Sequence, residues 1–282
     1  MKTIFNFIIL FIFFQGLAQN LVPNPSFELF NQCPYMEGQI DFVQDWSNSG
    51  TGTSDYYNSC DVVGDAGVPN NWTGFQNAAT GEGYCGIAPY FSNAQYNREF
   101  IGCTLNSPLI IGETYYISFK INLCITPIFA QIYATNNIGL LFSTTPYNFN
   151  NPSPINNFSH INETNIITDT ANWVTIGGTI IADSSYTNLS IGSFFNPNVT
   201  DTLELYQNTS TFVVSYYLID DVCVSNSASE CIGAVQLNEL TPMWKNLVRI
   251  VDVLGNDTEY KPNTVLIYIY SDGSTQKVFR VE

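Results

Sequence analysis

Trp72, Tyr90, Phe91 and Tyr96 fall in one stretch with Asn70, Asn71, Gln95 and Arg98. Aromatic faces that stack on sugar rings, beside amides and a guanidinium that bond hydroxyls, are the groups with which a surface holds a glycan. Trp72 is the leading candidate, because 61–74 is rich in Gly, Pro, Asn and Asp and reads as a long surface loop. The alternative for all of them is packing, or aromatics scattered singly over a surface. Trp46 and Trp173 read as core or core edge. Catalytic patterns are missing: His160 is the single histidine, in an Asn-rich stretch, and no Gly-x-Ser-x-Gly, His-Glu-x-x-His or phosphate loop occurs. Carboxylates are plentiful enough for two-acid glycoside chemistry on residue type alone, but nothing orders them. The chain reads as a non-catalytic protein.

Charge narrows the partners. The 282 residues carry 24 acids against 8 bases and a formal charge of −16. Such a surface repels nucleic-acid phosphates and anionic lipid, and it suits a cation, a neutral glycan or simple solubility. The acids are unevenly placed. Between Gln19 and Val235 the only bases are Arg98 and Lys120, whereas Lys245, Arg249, Lys261, Lys277 and Arg280 crowd the tail. The shift marks a domain boundary between Cys231 and Leu237, after a polar SNSAS run. At the other end, residues 1–18 have one charge, Lys2, an apolar run, and small residues at Gly16 and Ala18. That is the pattern of a secretory signal cut before Gln19. Its apolar run is shorter than the roughly 20 residues a membrane span needs. The expected organisation is a signal peptide (1–18), a main domain (19–231) and a C-terminal unit (232–282).

Many short β-patterned segments must position the candidate residues. Thr114–Leu123 alternates most clearly, with Tyr115, Ile117, Phe119, Ile121 and Leu123 on one face and Tyr116, Ser118, Lys120 and Asn122 on the other. Further strands are expected at Asn20–Glu28, Gly83–Tyr90, Arg98–Cys103, Ile138–Ser143, Trp173–Ile181, Leu189–Phe195 and Phe212–Val224. The first and last of these are expected to lie side by side. No segment keeps a helical period over three turns. The fold class is all-β, a sandwich or jelly roll.

The run NLVPNPSFE, the segment Trp173–Gly178 and the closing YLIDDVCV together resemble the galactose-binding-like jelly roll of carbohydrate-binding modules. The Cys33-Pro34 pair and Asp55–Cys60 are similar to a cysteine-bearing version found at the start of surface proteins exported by type IX secretion. The resemblance implies a structural Ca2+ tying the first strand to the last, with ligands at Glu28 and Asp220. By strand alternation Asp220 shares a face with Val222 and Val224 and points inward. The alternative is that both carboxylates accept backbone amides. In an oxidising compartment the preferred disulfides are Cys33–Cys60 and Cys223–Cys231. Cys85, Cys103 and Cys124 then leave one thiol over, with Cys85–Cys103 the pairing to test. The tail, with Asp252-Val253-Leu254-Gly255, a VLIYIY strand and an Asp-Gly hairpin signal, resembles a type IX C-terminal sorting domain. It implies the secretion machinery as a partner and a secreted or surface-attached protein, exported through the periplasm. The expected function is a binding module for a glycan. The alternative is a structural or adhesive cell-surface protein without a sugar ligand.

Overall fold

The computed structural model describes residues 19–62, 64–91, 98–125, 133–205, 214–231, 247–259, 261, 263–270 and 275–278. The signal segment, Tyr96 and the tight turn expected at 271–274 lie outside them. Chain contacts divide the protein into Met1–Ile232 and Gly233–Glu282.

The first unit is a jelly-roll sandwich. In chain order its strands are β1 (Trp46–Asn48), β2 (Asp55–Asn58), β3 (Asn70–Asn71), β4 (Gly74–Phe75), β5 (Gly83–Phe91), β6 (Ile101–Thr104) and β7 (Thr114–Cys124). There follow β8 (Tyr133–Thr135), β9 (Ile138–Ser143), β10 (Ile161–Glu163), β11 (Val174–Ile181), β12 (Asn188–Gly192), β13 (Thr202–Glu204) and β14 (Val214–Ser225). Two five-stranded sheets result, in the orders β1-β6-β12-β9-β10 and β11-β7-β14-β5-β2. All their pairings are antiparallel. The core between them takes Ile101, Leu140, Phe142, Leu189 and Ile191 from the first sheet. From the second it takes Cys85, Ile87, Tyr217, Ile219 and the five alternating residues of β7. Burying these apolar faces at about 25 cal/mol per Å2 drives the two sheets together.

The opening segment is not the strand its sequence predicts. Pro23 and Pro25 have no amide to donate to a ladder, and Asn24 and Phe27 turn into the left-handed region with φ of 44° and 62°. Side chains stand in for the ladder. Asn20 Oδ1 accepts from Val22 and Val224, and its Nδ2 donates to the Val222 carbonyl. Asn24 both accepts from Leu29 and donates to the Leu29 and Gln44 carbonyls. Trp46 Nε1 donates to the Pro23 and Asn24 carbonyls. The segment therefore lies beside β14, as expected, through the bonds Leu21 N to Val224 O (2.7 Å) and Val222 N to Pro25 O (2.9 Å).

Disulfides join Cys33 to Cys60 and Cys223 to Cys231. Cys85, Cys103 and Cys124 are buried thiols, which corrects the Cys85–Cys103 pairing. Cys85 is on β5 and Cys103 on β6, in opposite sheets. Thiols on two packed sheets bridge only where they lie directly opposite and their Cα atoms close to less than about 7 Å, and these two remain free.

The second unit carries β15 (Leu247–Val251), β16 (Leu266–Tyr270) and β17 (Thr275–Val278) in one antiparallel sheet. Its Asp-x-Leu-Gly run is a turn: Asp252 Oδ1 accepts from Leu254 and Asn256, and Gly255 sits at φ 85°. Among the described residues no helix is long and apolar enough to cross a membrane.

Candidate functional site

The outer face of the second sheet carries an aromatic and polar layer: Tyr57, Tyr84, Cys124, Tyr216 and Leu218. The loop 61–80 lies over it. Tyr57 and Tyr216 share a hydroxyl–hydroxyl bond of 2.7 Å, and both hydroxyls lie within hydrogen-bond reach of the same Asp55 oxygen. A methyl group on Gly86 would fall on the Tyr216 hydroxyl, so the network needs glycine there. The loop is tied down by Tyr84, whose hydroxyl donates to the Gln76 carbonyl and accepts from Asn71. Trp173 donates to the Asn77 carbonyl at 2.9 Å.

Within this loop β3 and β4 form a hairpin whose two-residue turn is Trp72-Thr73. Asn71 Oδ1 sets the turn by accepting from both the amide and the hydroxyl of Thr73. Trp72 is thereby turned toward the sheet, edge-on to Tyr216 with ring centroids 5.3 Å apart. Phe75 is turned outward and is 65% exposed. Between the hairpin and the end of β7 runs a cleft of about 490 Å3. Phe75, Thr73 and Gln76 line one side, and Asn122, Thr168 and Thr170 are among the residues that complete it. Asn122 is held by the carbonyls of Asp169 and Asn172. No carboxylate or histidine lines the cleft among the described residues.

Of the predicted sugar contacts, the described ones, Trp72, Tyr90, Phe91 and Arg98, are not brought together on an exposed surface. Tyr90 is 7% and Arg98 1% exposed, with the guanidinium 5.3 Å from the Tyr90 ring centroid. Phe91 and Trp72 are half-buried against the outer aromatic layer. A loop position does not imply exposure when the loop has a sheet face to cover, and that is why Trp72 packs. Phe75 was missed, although it sits after a glycine in the same polar loop. The turn lays Trp72 against the sheet, while Phe75, on the strand that follows, is left exposed.

Glu28 and Asp220 also differ from the expected cation site. Asp220 lies on the outer face with Tyr216 and Leu218, whereas Val222 and Val224 lie in the inter-sheet core. The cause is a bulge at Asp221, with φ 54°, which shifts the register and reverses the alternation. Asp220 accepts from the amides of Ala79, Thr80 and Asp221. Glu28 accepts from those of Glu82 and Gly83. A methyl on Gly81, at φ 64°, would fall on the Glu28 carboxylate. Lys120 Nζ stands 3.1 Å from Asp221. Calcium needs six to eight oxygens. Here the carboxylates are engaged with amides, a lysine stands beside them, and no cluster of three metal-ligating side chains occurs among the described residues. Both carboxylates are held in the way the amide-accepting alternative expects.

Three carboxylates are raised by burial: Asp220 and Glu99 to about 8 and Asp55 to about 6. The Asp55 charge adds to the effect on Glu99, which accepts from Ala88 and Thr53. None of the three lines the cleft. His160 is half-buried; its Nδ1 accepts from the Phe142 amide and its Nε2 bonds the Tyr186 hydroxyl. Burial lowers its pKa.

No family model matches the chain, and no curated protein does. Solved structures do. The CBM22-1 xylan-binding domain from Paenibacillus barcinonensis is 13% identical, with a TM-score of 0.39 over 74% of this chain and 94% of that one. A cleaved adhesin domain of Lys-gingipain from Porphyromonas gingivalis is 13% identical, with a TM-score of 0.34 over 74% and 98%. A Clostridium thermocellum xylanase chain with CBM22-1 and GH10 modules, complexed with xylohexaose, is 13% identical, with a TM-score of 0.34; the match covers 73% of this chain and 28% of that one.

Proposed function

We propose that the chain is an exported, non-catalytic module that binds a glycan in the cleft beside the β3–β4 hairpin. One observation carries this reading: an exposed aromatic ring, Phe75, at the rim of a cleft that the neutral polar residues Gln76, Asn122, Thr168 and Thr170 also line. A ring for stacking beside neutral donors and acceptors suits a sugar. The absence of a carboxylate or histidine from the described lining supports binding over hydrolysis. Two disulfides support an oxidising compartment, and the resemblance of the tail to a sorting domain supports export by type IX secretion machinery.

The test is a glycan array probed with residues 19–282, followed by titration of the polysaccharide that binds. Phe75→Ala is expected to lower affinity by about 1 kcal/mol with little change in melting temperature. Trp72→Ala is expected to do the reverse, lowering stability through lost packing. An array without specific binding from the folded protein moves the reading to an adhesive or structural surface protein.

A further inference from the structure

The cleft beside the β3–β4 hairpin mixes polar and apolar side chains, and none of its described lining residues is charged. Thr168 and Thr170 are exposed. So are Phe75 and Leu205, the latter just past β13, at 65% and 39%. Ile125, just past β7, is half-buried. An exposed apolar side chain standing singly on a surface needs no explanation, but here two large ones line one concavity with Ile125. Between Gln19 and Val235 the sequence holds two bases. Arg98 is 1% exposed, Lys120 stands 3.1 Å from Asp221, and neither lines the cleft.

The chemistry of a fitting sugar follows from these residues. A uronate or a sulfated sugar would bring its charge to a site without a cation, on a chain of net charge −16. A plain neutral sugar would set hydroxyls against Phe75, Ile125 and Leu205, which offer no partner, and a buried polar group without a partner is costly. A methyl group in that place loses no hydrogen bond and gains by leaving water. We propose that the cleft selects neutral glycans whose units carry a methyl group, seated against Leu205 and Ile125 while a ring face stacks on Phe75. The proposal rests on the cleft being the glycan site and names the substrate class for it. The methyl has two sources, a 6-deoxy sugar or the acetyl group of an acetamido sugar.

The test is an array probed with residues 19–282 and sorted into four classes of glycan: 6-deoxy, acetamido, plain neutral, and uronate or sulfated. Calorimetry then compares each hit with its counterpart lacking the methyl. The methyl-bearing member is expected to bind roughly fourfold or more tighter. Hits confined to one of the first two classes identify the source of the methyl. Leu205→Thr puts a hydroxyl at an exposed position and is expected to close the gap between methyl-bearing and plain glycans, whereas Phe75→Ala lowers both alike. Plain glycans binding as well as methyl-bearing ones, or charged ones binding better, overturns the proposal and leaves the glycan reading standing. A gap unchanged in Leu205→Thr overturns it too. A folded protein that binds no class of glycan overturns both.

Discussion

Asp220 shows what burial does to a carboxylate held by amides instead of a cation. Desolvation raises it to about 8, against the Thr80, Asp221 and Ala79 amides that favour the charged form. Glu99 and Asp55 are raised in the same sense. Carboxylates in an unfolded chain titrate near 4, so the folded protein holds extra protons between that value and about 8. The stability these groups contribute is complete below about pH 4 and is lost as pH rises through 6 and then 8. His160 acts oppositely: its lowered pKa costs stability as pH falls below its ordinary value of about 6.5. Three carboxylates against one imidazole set the expected result, a melting temperature higher at about pH 5.5 than at about pH 8.5. Asp220→Asn should flatten the profile, and a wild-type profile that rises with pH would contradict the assignment.

At the scale of elements, what could be read from sequence was whatever obeys a local period. The alternating residues of β7 point where they should, and all five apolar ones are buried. The opening run was legible as a neighbour of β14 but not as an irregular segment, because its bonds come from Asn20 and Asn24 side chains. Asn24→Ala removes three of them and is expected to cost about 2 kcal/mol in chemical denaturation. A cost below a few tenths would mean the segment holds its place without that side chain. Asp220 was misplaced for a related reason: one residue at a positive φ reverses every later side chain, and no pattern of types announces it. The cleft was least legible of all. It exists because a loop folds over a sheet face, and which aromatic then faces out depends on a two-residue turn. Tyr90 and Arg98, chosen for their chemistry, are instead packed on one another.

For the whole molecule, two crosslinks brace the first unit at different chain separations, 27 residues for Cys33–Cys60 and 8 for Cys223–Cys231. The longer loop restricts the unfolded chain more. Removing Cys33–Cys60 by paired serine substitution is therefore expected to cost about 1 kcal/mol more than removing Cys223–Cys231. Urea titration of both variants decides it, and the reverse order would show that native-state effects outweigh loop closure. The shorter link has a different consequence. The chain enters the sandwich at Asn20 and Leu21, bonded to Val222 and Val224. It leaves at Cys231, fastened to Cys223 and bonded through its carbonyl to Ser118. Both ends thus grip one stretch of β14, the central strand of its sheet. A pull between them is taken up there as shear, by a covalent clasp and a short row of bonds, and bypasses the rest of the sandwich. Such a fold can hang from a tether under load without its cleft being drawn out of shape.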